Sequence, residues 1–340
     1  IMYLIRYQGP QWFEPVTYFG NNTLKDVYDY EPIRKDWTSH TASLLMGVQA
    51  CMWTEFCNAP ADVDYLLFPR LSALAEVAWT KPERKNWKSY LKALDRFNEH
   101  IAAKGIVYAR SMYNIQQTVA PEDGRLQVQL DCIRPDVEVR YTLDGTMPTA
   151  QSALYVKPLV LTSTKTVKAA TFAGGKQMGQ TLELPVVWNK ATAKTIKSDG
   201  SNNIGLLVNG VRGSLKYTDS EYCSWMNNDT VSFTLDLKKP EIVNSLKLGS
   251  ITNYGMAAHK PAKIEVWFST DNKDYRKVGE QVYTKTDVFR EGIFKEDIRF
   301  KIGEKGRYIR VVAYGVGDCP VTHVRPGQEA RIYFDEIVVE

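Results

Sequence analysis

The sequence predicts a multidomain chain. An α/β segment over residues 1–112 is followed by two all-β sandwiches, a small one over 113–188 and a larger one over 189–340. Three observations carry this. Apolar residues recur at helical spacing only before residue 112. From 113 onward they alternate with polar ones, the period of a half-buried strand. The length, 340 residues, suffices for about two or three domains at roughly 100–200 residues each.

The first run, from Met2 to Ile5, reads as the interior of a buried strand. It lacks the charged start and cleavage site of a signal peptide. The chain begins at Ile1, so the expectation is the C-terminal portion of a longer protein. A second apolar run, from Leu44 to Met52, predicts another strand ahead of Trp53-Thr54-Glu55. Leu67, Leu71, Leu74, Ala75 and Ala78 then predict one helix face, with Asp62 and Asp64 near its start and Pro69 in its first turn or at a kink. A second helix presents Trp87, Leu91, Leu94, Phe97 and Ile101, with Gly105 placed as its C-terminal cap. Two strands and two helices form part of a βαβ pattern, with too few strands to close a sheet.

In the middle segment Leu126, Val128, Leu130 and Cys132 alternate, as do Val137, Val139, Tyr141 and Leu143. Asp144-Gly145 predicts a tight turn. Residues 167–172 and 182–187 complete a small antiparallel sandwich. In the last segment strands are predicted over 231–237, 243–248, 264–268, 308–312 and 332–339, after a polar loop over 198–203.

Composition narrows the function. Hydrophobic residues are 44% and charged residues 24%, a globular balance. The net charge of +4 is spread evenly, with 13 basic and 12 acidic residues in the first 112, so nothing suggests a nucleic-acid partner. No run of about 18 apolar residues predicts a membrane-spanning helix. Five cysteines without a CxxC pair, and four histidines, show no zinc-binding spacing and force no disulfide framework.

Trp53 and Glu55, two apart in extended chain, face the same way. An indole wall beside a carboxylate suits a sugar, whose apolar face stacks while its hydroxyls donate. The same spacing fits a core tryptophan followed by the start of a helix equally well.

Longer motifs separate those alternatives. Gly47-Val48-Gln49-Ala50-Cys51-Met52-Trp53-Thr54-Glu55, with Phe68-Pro69-Arg70 and the helix ending at Glu76-Val77-Ala78-Trp79, resembles the last barrel strand and helix of glycoside hydrolase family 20, the β-N-acetylhexosaminidases. Tyr3-Leu4 and Tyr7-Gln8-Gly9 resemble the strand before it. Val139-Arg140-Tyr141-Thr142-Leu143-Asp144-Gly145 resembles the small sandwich that follows the barrel in chitobiases. Residues 205–212 and the closing Phe334-Asp335-Glu336-Ile337-Val338-Val339 resemble a discoidin-like, coagulation-factor type C domain. The order resembles hexosaminidases of gut Bacteroidetes.

The resemblance implies the C-terminal remnant of a (β/α)8 barrel over 1–112, an immunoglobulin- or fibronectin-like sandwich over 113–188 and a discoidin-like jelly roll over 189–340. It implies removal of terminal β-linked N-acetylhexosamine from glycans by substrate-assisted catalysis, an exception to the two-carboxylate scheme. It also implies an extracytoplasmic location. In that family an adjacent Asp-Glu pair does the acid/base work. The one Asp-Glu dipeptide here is Asp335-Glu336, in the wrong domain, so the chain by itself is expected to be inactive and to depend on a missing N-terminal part. Tyr3 matches the tyrosine that holds the acetamido carbonyl, Trp53 the wall of the sugar pocket, Glu55 the carboxylate for the O4 and O6 hydroxyls, and Trp12 a tryptophan near the leaving group. Ile5 departs from the family's Asp or Asn. Arg70 and Glu76 read as a structural ion pair.

In the last domain Trp225, Tyr222 and His323 are the candidates for a glycan platform, and Asp199, Asn202 and Asn203 for a structural Ca²⁺; no other cofactor is expected. Asn21-Asn22-Thr23 and Asn228-Asp229-Thr230 are glycosylation sequons by pattern. The competing reading, from a different class, is a carbohydrate-binding or adhesion fragment without hydrolytic activity.

Overall fold

The structure is a computed structural model that describes residues 2–198, 200, 203–225 and 230–340. Strand β1 (Met2–Tyr3) pairs in parallel with β4 (Ala50–Cys51), setting Tyr3 opposite Cys51. Between them lie β2 (Arg6–Tyr7), its parallel partner β3 (Tyr18–Asn21), and helices α1 (Leu24–Asp29) and α2 (Ser39–Ser43). Thr23 caps α1 through a reciprocal bond with Asp26. The predicted strand over 44–52 shortens to two residues, because Leu44 and Met46 find nothing to pack against and stand exposed.

Three helices follow: α3 (Pro60–Leu67), α4 (Arg70–Trp79) and α5 (Trp87–Ala103). The single helix predicted through 67–78 is broken at Phe68-Pro69, since proline cannot donate to the preceding turn. The break shifts the buried face. Leu66, Arg70, Ala73, Leu74 and Val77 point inward, whereas Leu71, Ala75 and Ala78 are exposed. Helix α5 buries Leu91, Leu94 and Ile101 as its period predicts, and Gly105 at φ +79° ends it.

The middle sandwich packs two sheets on one core. Strands β5 (Gln116–Glu122), β6 (Arg125–Asp131) and β9 (Leu159–Leu161) form one. The other has β7 (Glu138–Thr142), β8 (Ala153–Leu154), β10 (Lys165–Ala173), β11 (Lys176–Gln177) and β12 (Leu182–Val186). Val119, Leu126, Val128, Val167, Leu184 and Val186 meet between them. The two-residue hairpin turn is Asp123-Gly124, both at positive φ, which joins β5 to β6. Asp144-Gly145 instead opens a longer loop between β7 and β8, where the Asp144 carboxylate accepts from the Thr146 amide at 3.0 Å.

The last sandwich contains β13 (Thr195–Ser198), β14 (Cys223–Trp225), β15 (Thr230–Asn253), β16 (Lys263–Ser269), β17 (Arg276–Val282), β18 (Ile293–Tyr314) and β19 (Ile332–Val339), with the short helix α6 (Lys285–Val288). The strands predicted over 231–237 and 243–248 are one continuous strand. It is paired along its length with β18, with register shifts between Asp236 and Glu241 and between Val243 and Ser245. Those irregularities let one ribbon serve both layers. Its first half lies beside β13 and, through β18, beside β16; its second half lies beside β19. Trp225, Phe233, Leu248, Val266, Ile309 and Phe334 fill the space between.

Polar joints connect the segments. The buried Arg134 guanidinium of the middle sandwich bonds Asp95 of α5 at 2.8 Å and Asp136 at 2.6 Å, and this pairing holds Asp136 below the usual carboxylate range. Lys216 of the last sandwich donates to the Gln11 carbonyl at 2.7 Å and to that of Glu14.

Candidate sugar site on the first segment

Arg70 organises this region. It has no exposed surface, and its guanidinium donates to the carbonyls of Arg6 at 3.0 Å, Asn22 at 2.9 Å, Leu66 at 2.6 Å and Leu4. These carbonyls come from strand β2, from the turns on either side of the short strands and from the last turn of α3, and one side chain satisfies them. The reading of Arg70 and Glu76 as an ion pair is therefore corrected: the partners are backbone oxygens. Burial pulls the Arg70 pKa down to about 9, against the pull of nearby Glu14. Asn22 adds a bond to the Tyr3 carbonyl at 3.1 Å.

That frame presents the candidates. Tyr3, half-buried, lies opposite Cys51, two residues ahead of Trp53. Trp53 is 58% exposed and Glu55 is exposed, so an indole face and a carboxylate are open beside the paired strand ends. Within this chain Trp53 is not covered as a core tryptophan would be. Trp12 is half-buried on the loop after β2, its indole N–H without an acceptor among the described residues. Ile5 is buried, and its carbonyl accepts from Thr17.

Glu14, on the same loop as Trp12, belongs to a cluster the sequence did not announce. Buried Glu14 accepts from the Tyr65 hydroxyl at 3.0 Å, and Tyr65 also lies 3.2 Å from the Ser111 hydroxyl. Burial pushes the Glu14 carboxyl up, with the Ser111 and Tyr65 bonds opposing. Three residues from distant positions carry no local signal of this.

The candidates in the last domain are corrected. Trp225 is 2% exposed, stacked on Phe233 with ring centroids 6.3 Å apart and edge-on to Phe334 at 5.8 Å. Tyr222 is buried with its hydroxyl on the Ser214 carbonyl, and His323 is buried beside Tyr254. None offers a face to a glycan. Asp199 and Asn202, and the sequon at Asn228, lie outside the described residues; Asn203 is exposed. The Asp335-Glu336 dipeptide is buried. Asp335 bonds Arg212 at 2.9 Å and Lys295 at 3.2 Å, and Glu336 accepts from the Gly210 amide at 3.1 Å. Complete burial raises the Glu336 pKa well above the carboxylate range.

Residues 1–82, which contain this frame, match the catalytic domain of glycosyl hydrolase family 20. Beyond the family 20 segment, residues 121–183 match the chitobiase/β-hexosaminidase C-terminal domain and residues 190–322 the F5/8 type C domain. The chain is 31% identical to a β-hexosaminidase of Porphyromonas gingivalis over 52% of its own length and 23% of that protein's. It is 38% identical to a β-N-acetylhexosaminidase of Cellulomonas fimi over 21% of its length and 14% of the relative's. With the mouse β-hexosaminidase subunit alpha the identity is 31%, over 29% and 16%. The chain thus spans less than a quarter of the length of each of these relatives. Among the described residues no helix is long and apolar enough to cross a membrane.

Proposed function

We propose that this chain supplies one side of the substrate pocket of a retaining β-N-acetylhexosaminidase acting on glycans with a terminal N-acetylhexosamine outside the cytoplasm. The observation that carries the reading is the parallel pairing of β1 with β4, which brings Tyr3 beside the strand that leads to exposed Trp53 and Glu55 within the family 20 match. In this reading the Tyr3 hydroxyl donates to the acetamido carbonyl and holds its oxygen for attack on C1. The Trp53 indole stacks on the apolar face of the sugar, and Glu55 accepts from the O4 and O6 hydroxyls. Trp12 lies toward the leaving group. Arg70 touches no substrate; it holds the backbone on which Tyr3 is mounted. A structural Ca²⁺ near Asn203 is a further part of the proposal, testable by loss of thermal stability on chelation.

The buried Asp335-Glu336 dipeptide cannot reach a sugar, so the 340 residues alone should not cleave a chromogenic β-N-acetylglucosaminide. Turnover by the purified chain would overturn that. In the complete gene product Glu55→Gln should lower kcat/KM by about 10–150-fold, the loss of roughly 1.5–3 kcal/mol for a hydrogen bond to charge. An unchanged kcat/KM would remove Glu55 from the pocket.

A further inference from the structure

The last sandwich holds a cluster of soft and borderline donors. His259 follows β15, and Cys319 and His323 lie on the loop between β18 and β19. All three are buried, and their ligand atoms lie within 4.8 Å of one another. The two imidazole Nε2 atoms are 3.2 Å apart. Nitrogens bound at about 2.05 Å to a tetrahedral zinc ion stand about 3.3 Å apart. One edge of a coordination tetrahedron therefore already has its length.

The surroundings set the rings. The Nδ1 of His259 lies 3.0 Å from the Val288 carbonyl, so it carries the proton and Nε2 offers a lone pair. A ligating histidine is commonly held this way, by an outer carbonyl on its other nitrogen. The Nδ1 of His323 accepts the Arg325 amide at 3.0 Å, so in the metal-free protein its Nε2 donates to His259. The Arg325 guanidinium is engaged elsewhere, by the Gly255 carbonyl, Gln328 and the Met256 sulfur.

We propose that His259, Cys319 and His323 form a binding site for a zinc-like d-block dication, which clamps the loop after β18 onto the end of β15. On loading, the Nε2–H···Nε2 bond is replaced by two metal–nitrogen bonds. The His323 proton passes from Nε2 to Nδ1, at the expense of the Arg325 amide bond. The Cys319 thiol leaves its proton to solvent and binds as thiolate, so one proton is released per ion. Three protein ligands leave the fourth position to water.

Cobalt(II) titrated into the reduced chain tests this. The expected result is one ion per chain, with a thiolate-to-cobalt absorption band in the near ultraviolet, tetrahedral d–d bands in the visible, and displacement by zinc. Cys319→Ser should abolish the near-ultraviolet band and weaken binding at least about tenfold. His100→Gln, at an exposed position, should leave both unchanged. A stoichiometric titration without the thiolate band overturns the proposal, as does binding that needs many equivalents of cobalt. The wild-type spectrum decides the matter even if the serine variant does not fold.

Discussion

Trp53 follows a two-residue strand in the first segment and is 58% exposed; Trp225 ends a three-residue strand in the last and is 2% exposed. Both sit among aromatic and aliphatic neighbours in the sequence. The difference lies in what covers them. Trp225 has two sheet layers, with Phe233 and Phe334 against its ring. The first segment has two short parallel pairs among its helices. Leu71 and Trp79 of α4 are exposed there like Trp53, while Leu74 and Val77 are covered. An apolar side chain reports a surface to be covered, and coverage has to come from elsewhere in the assembly. In the last sandwich the chain supplies both layers. In the first segment part of the cover comes from the middle sandwich, whose Ile133, Val137 and Met178 pack against the cluster around Leu91 and Leu94.

Substitutions can break or sharpen this contrast. The largest effect is expected from Trp225→Ala, which empties a filled core site and should cost about 3–5 kcal/mol in denaturant unfolding of the last sandwich. A near-neutral result would put Trp225 back among surface candidates. Arg70→Met should be the counterpart in the first segment. It leaves buried carbonyls of Leu4, Arg6, Asn22 and Leu66 without a donor and should cost about 3 kcal/mol or more. Amide exchange would reveal it as lost protection over 1–112 with the last sandwich unchanged. Equal loss in both would show that the segments unfold as one unit.

A third test uses pH. Buried Glu221 accepts from Asn209 at 3.0 Å, and burial pushes its pKa up to about 7, with Asp219 adding to the rise and Asn209 opposing it. Between the unfolded value of 4.5 and about 7 the folded protein holds a proton that the unfolded chain has lost, so this group stabilises the fold as pH falls through 7. Glu221→Gln should therefore stabilise the fold at pH 8 by on the order of 1–3 kcal/mol, seen as a higher Tm, and have little effect at pH 4.5. A gain of the same size at both pH values would mean that the effect does not come from ionisation. The smallest effect belongs to Trp53→Ala, expected within about 0.5 kcal/mol of wild type because the ring is mostly in solvent. A large loss of stability would show that Trp53 is part of a core after all.

The elements most legible in sequence were those whose partners lie close by. Helix α5, with Leu91, Leu94, Ile101 and its Gly105 cap, could be read from spacing, because a 17-residue helix makes its own backbone bonds and needs one apolar face covered. The helix over 67–78 misled, since the period ignores how Pro69 re-phases the turn that follows. The two-residue hairpin at Asp123-Gly124 was missed, whereas the tight turn expected at Asp144-Gly145 opens a longer loop. Both dipeptides suit a turn, and only the cross-strand register from Glu122 to Arg125 distinguishes them. The candidate sugar-site residues Tyr3, Trp53 and Glu55 were singled out through long motifs. The Arg70 carbonyl network, the Glu14–Tyr65–Ser111 cluster and the His259–Cys319–His323 group each join residues dozens of positions apart, which no periodicity records. Cys319 and His323, four apart on one loop, were the nearest thing to a local cue for the last of these.

Asn189 closes the last sandwich at its neck. Its side-chain oxygen accepts from the Val339 amide at 3.1 Å, Lys190 donates to the Val339 carbonyl at 3.1 Å, and Asn189 also reaches Glu336 at 3.3 Å. Entry and exit of the chain are thus tied side by side. A pull applied between residue 188 and residue 340 would load this knot before it reached the strands, leaving the rest of the sandwich slack. A module attached in this way can be copied into other proteins, or spliced into a surface loop, with little disturbance to its host, because it asks for only two neighbouring points of attachment.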